Sequence, residues 1–394
     1  MTEQTSFPEV ELTKPAIFAA AEERTGCTDW GDTSVFEPAL DQFLASLEAE
    51  ARLNTAGRFI RWSAIVGRLS QRLLLQREGY DRLPAAIAER PAFVIAGPPR
   101  TGTTLLQRLL ALDPDSQALR YCDVAAPVPA TRPGTDEDEA KIEHVSQQLA
   151  QIQALVPALQ KIHEMDPRMP DEEIFLIDHS FLCALGPLRA RVPGYWSWVM
   201  ESGDLNGAYR ELKRFIAYVG QHRTGSRWVL KTPQHLWMLP QLLETFPNAF
   251  VIWTHRDPAK FVPSMASLCR VLRSAGSDSV NNEDLGQYWL EILTGGVSSA
   301  MKYRNGLTEG RIVDVHYHDL VRDPQGTVGR IYEAFGVELP EGMPEAISRY
   351  LAENPKGKNG RHAYTAETFG LRYEEIRERF SAYIEEYDVR PEGS

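Results

Sequence analysis

Residues 92–110 read AFVIAGPPRTGTTLLQRLL, and the order of residue types in this stretch decides the fold. AFVIA is a continuous apolar run of the length of a buried strand. TTLLQRLLAL carries leucines at helical spacing and runs into Asp113-Pro114, which stops a helix. Between them, Gly97-Pro98-Pro99-Arg100-Thr101-Gly102-Thr103-Thr104 has the frame of a phosphate-binding loop. In the pattern G-x-x-x-x-G-K-[ST], backbone amides cradle phosphates, the lysine reaches the β/γ-phosphates and the final hydroxyl holds magnesium. Gly97 and Gly102 keep that spacing, but Thr103 stands where the lysine would. Arg100 places a guanidinium in the loop that is able to grip two oxygens of one anion, with the hydroxyls of Thr101, Thr103 and Thr104 around the helix start. Such a pocket suits a nucleotide phosphate carrying a transferable group, without a need for magnesium.

The strand and helix alternation resumes downstream in RWVLKTP, HLWMLPQLLETFP, NAFVIWTHRDP, AKFVPSMASLCRVLR, RIVDVHYHDL and TVGRIYEAFGV. It predicts an α/β fold, a parallel β-sheet flanked by helices, with ligands at the carboxyl ends of the strands. Upstream, DQFLASLEAEARLN and IRWSAIVGRLSQRLLLQREGY repeat apolar residues at spacings of three and four, the mark of amphipathic helices. The expected organisation is an N-terminal helical segment, 1–90, packed on an α/β domain, 91–394. A helical insert at about 137–225 covers a cleft in that domain, and a polar loop and a helix close the chain.

A chain of 394 residues builds a sizeable core without difficulty. The formal charge of −12 argues against broad contact with nucleic acid or an anionic membrane, so an anionic ligand must be met by a few placed cations and backbone amides. Four cysteines are scattered with no CxxC pair and no zinc-like histidine spacing, and no metal site is expected. No stretch approaches the roughly 18 to 20 uninterrupted apolar residues of a membrane span. The N-terminus MTEQTSFPEVELTKPAIF lacks the apolar core of a secretory signal, so the expectation is a soluble, cytoplasmic protein. Oligomeric state is not legible from these residues.

Three motifs together resemble the PAPS-dependent sulfotransferases, whose donor is 3′-phosphoadenosine 5′-phosphosulfate. Pro99-Arg100-Thr101-Gly102-Thr103-Thr104 is similar to that family's 5′-phosphosulfate loop, P-[KR]-[ST]-G-T-T. Arg256 and Ser264, in VIWTHRDPAKFVPSMASL, resemble its 3′-phosphate element, a strand ending in Arg with Ser at the eighth position after it. Lys231 and His235, in VLKTPQHLWMLPQLLETFPNA, are similar to its K-x-P-x-H segment. EEIFLIDHSF and GRHAYTAETFGL look like a bacterial branch of the family, so the resemblance covers most of the chain after about Arg90. A P-loop NTPase-like sulfotransferase fold with N-terminal helices and a helical lid is what it implies. By the same resemblance Tyr317 would touch adenine, and the loop containing Lys356, Gly360 and Arg361 would close over the 3′-phosphate. One departure is Leu105, which stands where many relatives have an adenine-stacking aromatic residue.

The residue chemistry agrees with the resemblance, because a donor with two anionic ends needs a second phosphate site apart from the loop. Sulfuryl transfer depends mainly on alignment and on stabilising developing charge. Arg100 would neutralise the leaving bisphosphate and Lys231 would bridge toward the sulfuryl oxygens. For the base that takes the acceptor's proton, His235 ranks ahead of Asp123 in RYCDVAAPVP. The acceptor is a hydroxyl on a small molecule or lipid. Two other readings compete: a non-catalytic adenosine-nucleotide-binding protein, and a P-loop kinase or NTPase. The missing lysine counts against the last, and HRD at 255–257 lacks the asparagine of a kinase catalytic loop, Val262 standing in its place.

Overall fold

The computed structural model describes residues 7–157, 165–307, 310–355 and 364–392. Its centre is a five-stranded sheet, all of whose pairings are parallel, in the order β2-β3-β1-β4-β5. The strands are β1 (Ala92–Ala96), β2 (Ser116–Ala118), β3 (Arg227–Lys231), β4 (Ala249–His255) and β5 (Ile312–His316). β1 is buried along its whole length, as an apolar run covered on both faces must be. Its side chains alternate between two cores. Ala92, Val94 and Ala96 join a large cluster with Trp228, Leu230, Val251 and Trp253. Phe93 and Ile95 face Leu106, Leu109, Val328, Ile331 and Tyr332 on the other side.

The N-terminal helices α1 (Lys14–Thr25), α2 (Phe36–Glu50) and α3 (Thr55–Arg77) follow the amphipathic pattern of the sequence. Their apolar stripes, including Leu40, Leu47, Leu69 and Leu73, merge with the larger of these cores, so they are continuous with the sheet's packing. α4 (Thr103–Leu110) starts where the phosphate-loop reading puts it. After β2 comes the short α5 (Tyr121–Ala125), and the insert contributes α6 (Asp136–Leu155) and further helices up to Leu205–Gly220.

Two local elements carry no clear periodic signal in the sequence. SQA at Ser116–Ala118 forms an edge strand too short to show a hydrophobic period, and its pairing to β3 is what makes it a strand. EEIFLIDHSFLCAL forms short pieces, Ile174–Ile177 and a 3₁₀ turn Asp178–Ser180, which Phe181 ends with φ of 56°. Among the described residues no helix is long and apolar enough to cross a membrane.

Candidate active site

The carboxyl ends of β3, β1 and β4 bring the expected residues to one edge of the sheet. β1 lies between the other two, in register Ile95 with Lys231 and Ala96 with Trp253. The loop after β1, Lys231 at the end of β3 and Arg256 just past β4 are therefore neighbours. This is the crevice in which open α/β sheets hold ligands.

The loop is shaped by two glycines. A Cβ on Gly97 would fall 2.2 Å from Thr254 Oγ1 and 2.8 Å from its carbonyl oxygen, so only glycine lets the loop lie against β4. Gly102, at the N-cap of α4, has φ of 88°, a left-handed conformation that glycine adopts without strain. No side chain caps the helix. The first-turn amides have no intrahelical acceptor, and the first to find one is Leu106, whose N–H donates to the Gly102 carbonyl at 3.0 Å. The turn thus presents amides and the positive end of a helix dipole, with no lysine needed.

The Thr101 hydroxyl turns inward rather than toward the helix start. It donates to the Pro98 carbonyl at 2.7 Å, lies 2.5 Å from Thr254 Oγ1, and is fully buried. It braces the loop from behind, whereas the sequence reading placed it with Thr103 and Thr104 around the helix start. Thr103 is mostly buried and Thr104 half-buried at the first turn. Arg100, exposed and with φ of 68°, donates from Nε to Ser264 Oγ at 3.2 Å. Arg256 donates from Nη1 to the Arg100 carbonyl at 2.8 Å, and its guanidinium lies 3.9 Å from the centre of the Tyr317 ring. The same ring would lie 3.0 Å from a Cβ on Gly102. Arg100, Gly102, Arg256, Ser264 and Tyr317 are thus one cluster drawn from three segments of the chain. These residues could hold a ligand with two anionic groups, one at the loop and Arg100 and the other at Arg256 and Ser264. Lys356, Gly360 and Arg361 lie outside the described residues.

On the β3 side, Lys231 is buried and its ammonium donates to Glu172 Oε1 at 2.6 Å. Glu172 remains half-buried, with 18% of its side chain exposed. Its neighbour Glu173 is wholly buried and works differently. Glu173 Oε2 accepts the Lys231 backbone N–H at 2.9 Å, and Oε1 lies 2.5 Å from His235 Nε2. The other ring nitrogen of His235, Nδ1, lies 2.7 Å from the hydroxyl of buried Tyr209. His235 is thus fully buried with both nitrogens engaged, and the geometry does not offer it to an acceptor.

Asp123 is likewise engaged. It closes a capping box at the start of α5, where Oδ2 accepts the Arg120 backbone N–H at 2.9 Å and Oδ1 pairs with the Arg120 side chain at 2.9 Å. It is also paired with Arg223. Burial alone would raise its carboxyl, but the guanidiniums of Arg120 and Arg223 outweigh this and hold it below the usual carboxylate range. Its role here is to neutralise two arginines. Asp257, the neighbour that could have paired with Arg256, instead accepts from Arg377 Nη2 at 2.7 Å. Arg256 is held by Glu392.

Glu172, Glu173 and Glu392 were not singled out from sequence. The adjacent carboxylates opening EEIFLIDHSF were the available signal for the first two. Glu392 carried none, since its meaning comes only from the tail's return to β4. Among the described residues no group of His, Cys, Asp and Glu is arranged to hold a metal.

Comparison with known proteins places this geometry. The curated omega-hydroxy-beta-dihydromenaquinone-9 sulfotransferases Stf3 of Mycobacterium bovis and Mycobacterium tuberculosis are 25% identical over 316 residues, 76% of each chain. The crystal structure of sulfotransferase STF1 from Mycobacterium tuberculosis superposes with a TM-score of 0.82 at 28% identity, covering 94% of this chain and 98% of that one. STF9 from Mycobacterium avium shares the fold at a TM-score of 0.84 and 24% identity, over 99% of this chain and 100% of that one. A family model described as the sulfotransferase family matches residues 91–341, from the first residue before β1 to the segment beyond β5. A loop that replaces the nucleotide-triphosphate lysine, with a second cationic site one strand away, is therefore explained by descent as well as by chemistry: the chain belongs to the sulfotransferase family and is a sulfotransferase enzyme.

Proposed function

We propose that this enzyme transfers a sulfuryl group from 3′-phosphoadenosine 5′-phosphosulfate to the hydroxyl of an apolar, lipid-like acceptor, with Glu172 as the base. The observation that carries the reading is the placement of two chemistries at one sheet edge. The loop, Arg100, Ser264 and Arg256 form an anion cluster, while the Lys231–Glu172 pair lies one strand over. When bound, the donor supplies an activated sulfuryl group, whose bond to the leaving phosphate oxygen breaks as the acceptor oxygen attaches.

The protein's own residues account for the remainder. The amides of the α4 first turn and Arg100 hold the 5′ end and balance the charge left on the departing phosphate. Arg256 and Ser264 hold the 3′-phosphate, with Tyr317 against the nucleoside. Lys231 has three ammonium protons, and the contact with Glu172 uses one of them, so the others are available to sulfuryl oxygens. Glu172, half-buried and held by that ammonium, takes the acceptor's proton. Glu173 and His235 fix the backbone at Lys231 and so aim the pair.

The lipid-like class of acceptor is supported by the menaquinone-derived acceptor in the name of the Stf3 relatives. It is also supported by the apolar side chains of the insert, such as Phe175 and Trp198, that remain half-buried beside the core. Incubation with 35S-labelled donor and a panel of long-chain alcohols, polyprenols, hydroxylated quinones and simple phenols tests the reading. Labelled apolar products are expected. Tight binding of 3′,5′-bisphosphoadenosine with no labelled product from any acceptor would sink the catalytic assignment, and product from phenols alone would sink the acceptor class.

A further inference from the structure

Arg256 presents the Nε and Nη2 edge of its guanidinium to a carboxylate of its own chain. Glu392 Oε1 accepts from Nε at 2.7 Å and Oε2 from Nη2 at 2.9 Å. This two-point fork is the arrangement in which a guanidinium takes two oxygens of a phosphate. The remaining nitrogen, Nη1, goes to the Arg100 carbonyl.

The tail that brings Glu392 here is clamped by its backbone. The Glu392 N–H donates to Asp257 Oδ2 at 2.7 Å, and Arg377 Nη2 donates both to that oxygen at 2.7 Å and to the Glu392 carbonyl at 3.1 Å. Asp257 is itself buried, with its side chain 1% exposed. Backbone anchoring and side-chain pairing are thus separate, and the carboxylate is able to leave Arg256 while the tail stays docked. The Arg256 and Glu392 side chains are 20% and 32% exposed, so water can reach the pair and solvate the carboxylate once it is released.

We propose that the Glu392 side chain is a built-in occupant of the phosphate position on Arg256, which the nucleotide's 3′-phosphate displaces on binding, so that the C-terminal tail sets the affinity for the donor. The inference rests on the reading that Arg256 receives the 3′-phosphate. A phosphate monoester carries more charge than a carboxylate and more acceptor oxygens, and it wins the exchange at a cost in affinity. A nucleotide without a 3′-phosphate has nothing to exchange and is indifferent to the tail.

Calorimetric titration of 3′,5′-bisphosphoadenosine and of adenosine 5′-monophosphate tests this on three proteins: the unaltered enzyme, Glu392→Gln, and a chain ending at Arg390. The bisphosphate is expected to bind both variants about three- to ten-fold tighter than the unaltered enzyme, a modest gain because the pair is partly solvated. The affinity for adenosine 5′-monophosphate stays the same. Unchanged or weaker bisphosphate binding in both variants would overturn the proposal and make Glu392 a support for Arg256, as would a parallel change for both nucleotides. No bisphosphate binding to any of the three proteins would overturn the donor reading itself, and this inference with it.

Discussion

His235 Nε2 lies 2.5 Å from Glu173 Oε1, and both side chains are shut away from solvent. Each is the other's partner in a low-dielectric interior, and Glu173 also receives the Lys231 backbone N–H. Removing one side strands the other. His235→Ala is expected to lower stability by about 1–3 kcal/mol, the cost of leaving a buried hydrogen-bonding group without its partner, read as a lower urea midpoint. His235→Gln, which keeps a hydrogen-bonding side chain, should lose less. If His235 were the base, His235→Gln would lose about 10²–10⁴-fold in kcat. The buried geometry requires a folded His235→Gln to keep turning over.

Glu172 carries the opposite expectation. It is half-buried at the sheet edge and paired with Lys231, so its loss should stop proton removal, and because the buried Lys231 ammonium then loses its partner the variant's unfolding is measured beside the unaltered enzyme. Glu172→Gln is expected to reduce kcat about 10²–10⁴-fold, the range for loss of a general base, with bisphosphate affinity unchanged by calorimetry. Lys231→Met should also depress kcat. Lys231 is wholly buried, however, so its variant must first pass an unfolding measurement against the unaltered enzyme. Full activity of Glu172→Gln would remove it from the mechanism.

The contrast between His235 and Glu172 shows where sequence was a sufficient guide. Three strands of the sheet were legible because AFVIA, WVL and AFVIW are short apolar runs of strand length bounded by polar or turn residues. Lys231, Arg256 and the loop were singled out by the family motifs they resemble, and the ends of β3, β1 and β4 bring them to one side of the sheet. The roles of the histidine and the carboxylates were not legible, since a base is defined by what surrounds it. Nothing near His235 in sequence announces that Glu173 and Tyr209, 62 and 26 residues away, use both its nitrogens. Asp123 was misjudged for the same reason: Arg223, 100 residues on, turns it into a charge partner.

That arginine cluster makes the fold sensitive to acid. Hydrogen bonding from Arg120 holds the Asp138 carboxyl well below the usual range, helped by Thr131 and the Gly134 N–H. Asp123 is lowered too, its arginine partners outweighing burial. Both folded pKa values lie below the unfolded value of about 3.9. Their contribution is therefore complete above about pH 4 and is lost as pH falls through the folded values. Urea midpoints should hold steady from neutral pH to about pH 5 and then drop. Asp138→Asn should be less stable at neutral pH and show a shallower drop on acidification. An equally steep drop in that variant would place the acid-sensitive groups elsewhere.

The two loop glycines should fail in different ways when given a methyl group. At Gly97 the added carbon would meet Thr254 Oγ1 at 2.2 Å and the Thr254 backbone nitrogen at 3.0 Å, at the buried carboxyl end of the β1–β4 pair. Backbone cannot retreat there, so Gly97→Ala should destabilise the whole sheet and lower the unfolding midpoint sharply. At Gly102 the neighbours are the ring of Tyr317 at 3.0 Å and a methyl of Leu320 at 3.1 Å, both side chains able to tilt, while the φ of 88° adds strain. The left-handed conformation costs a non-glycine residue roughly 1–2 kcal/mol. Part of that cost is relieved by the first turn of α4 shifting, which misaligns the amides, and by Tyr317 leaning toward Arg256. Gly102→Ala should therefore remain folded and lose affinity for 3′,5′-bisphosphoadenosine about ten-fold, equivalent to roughly 1.4 kcal/mol. Unchanged affinity in a folded Gly102→Ala protein would show that the loop amides are not the group that holds the nucleotide.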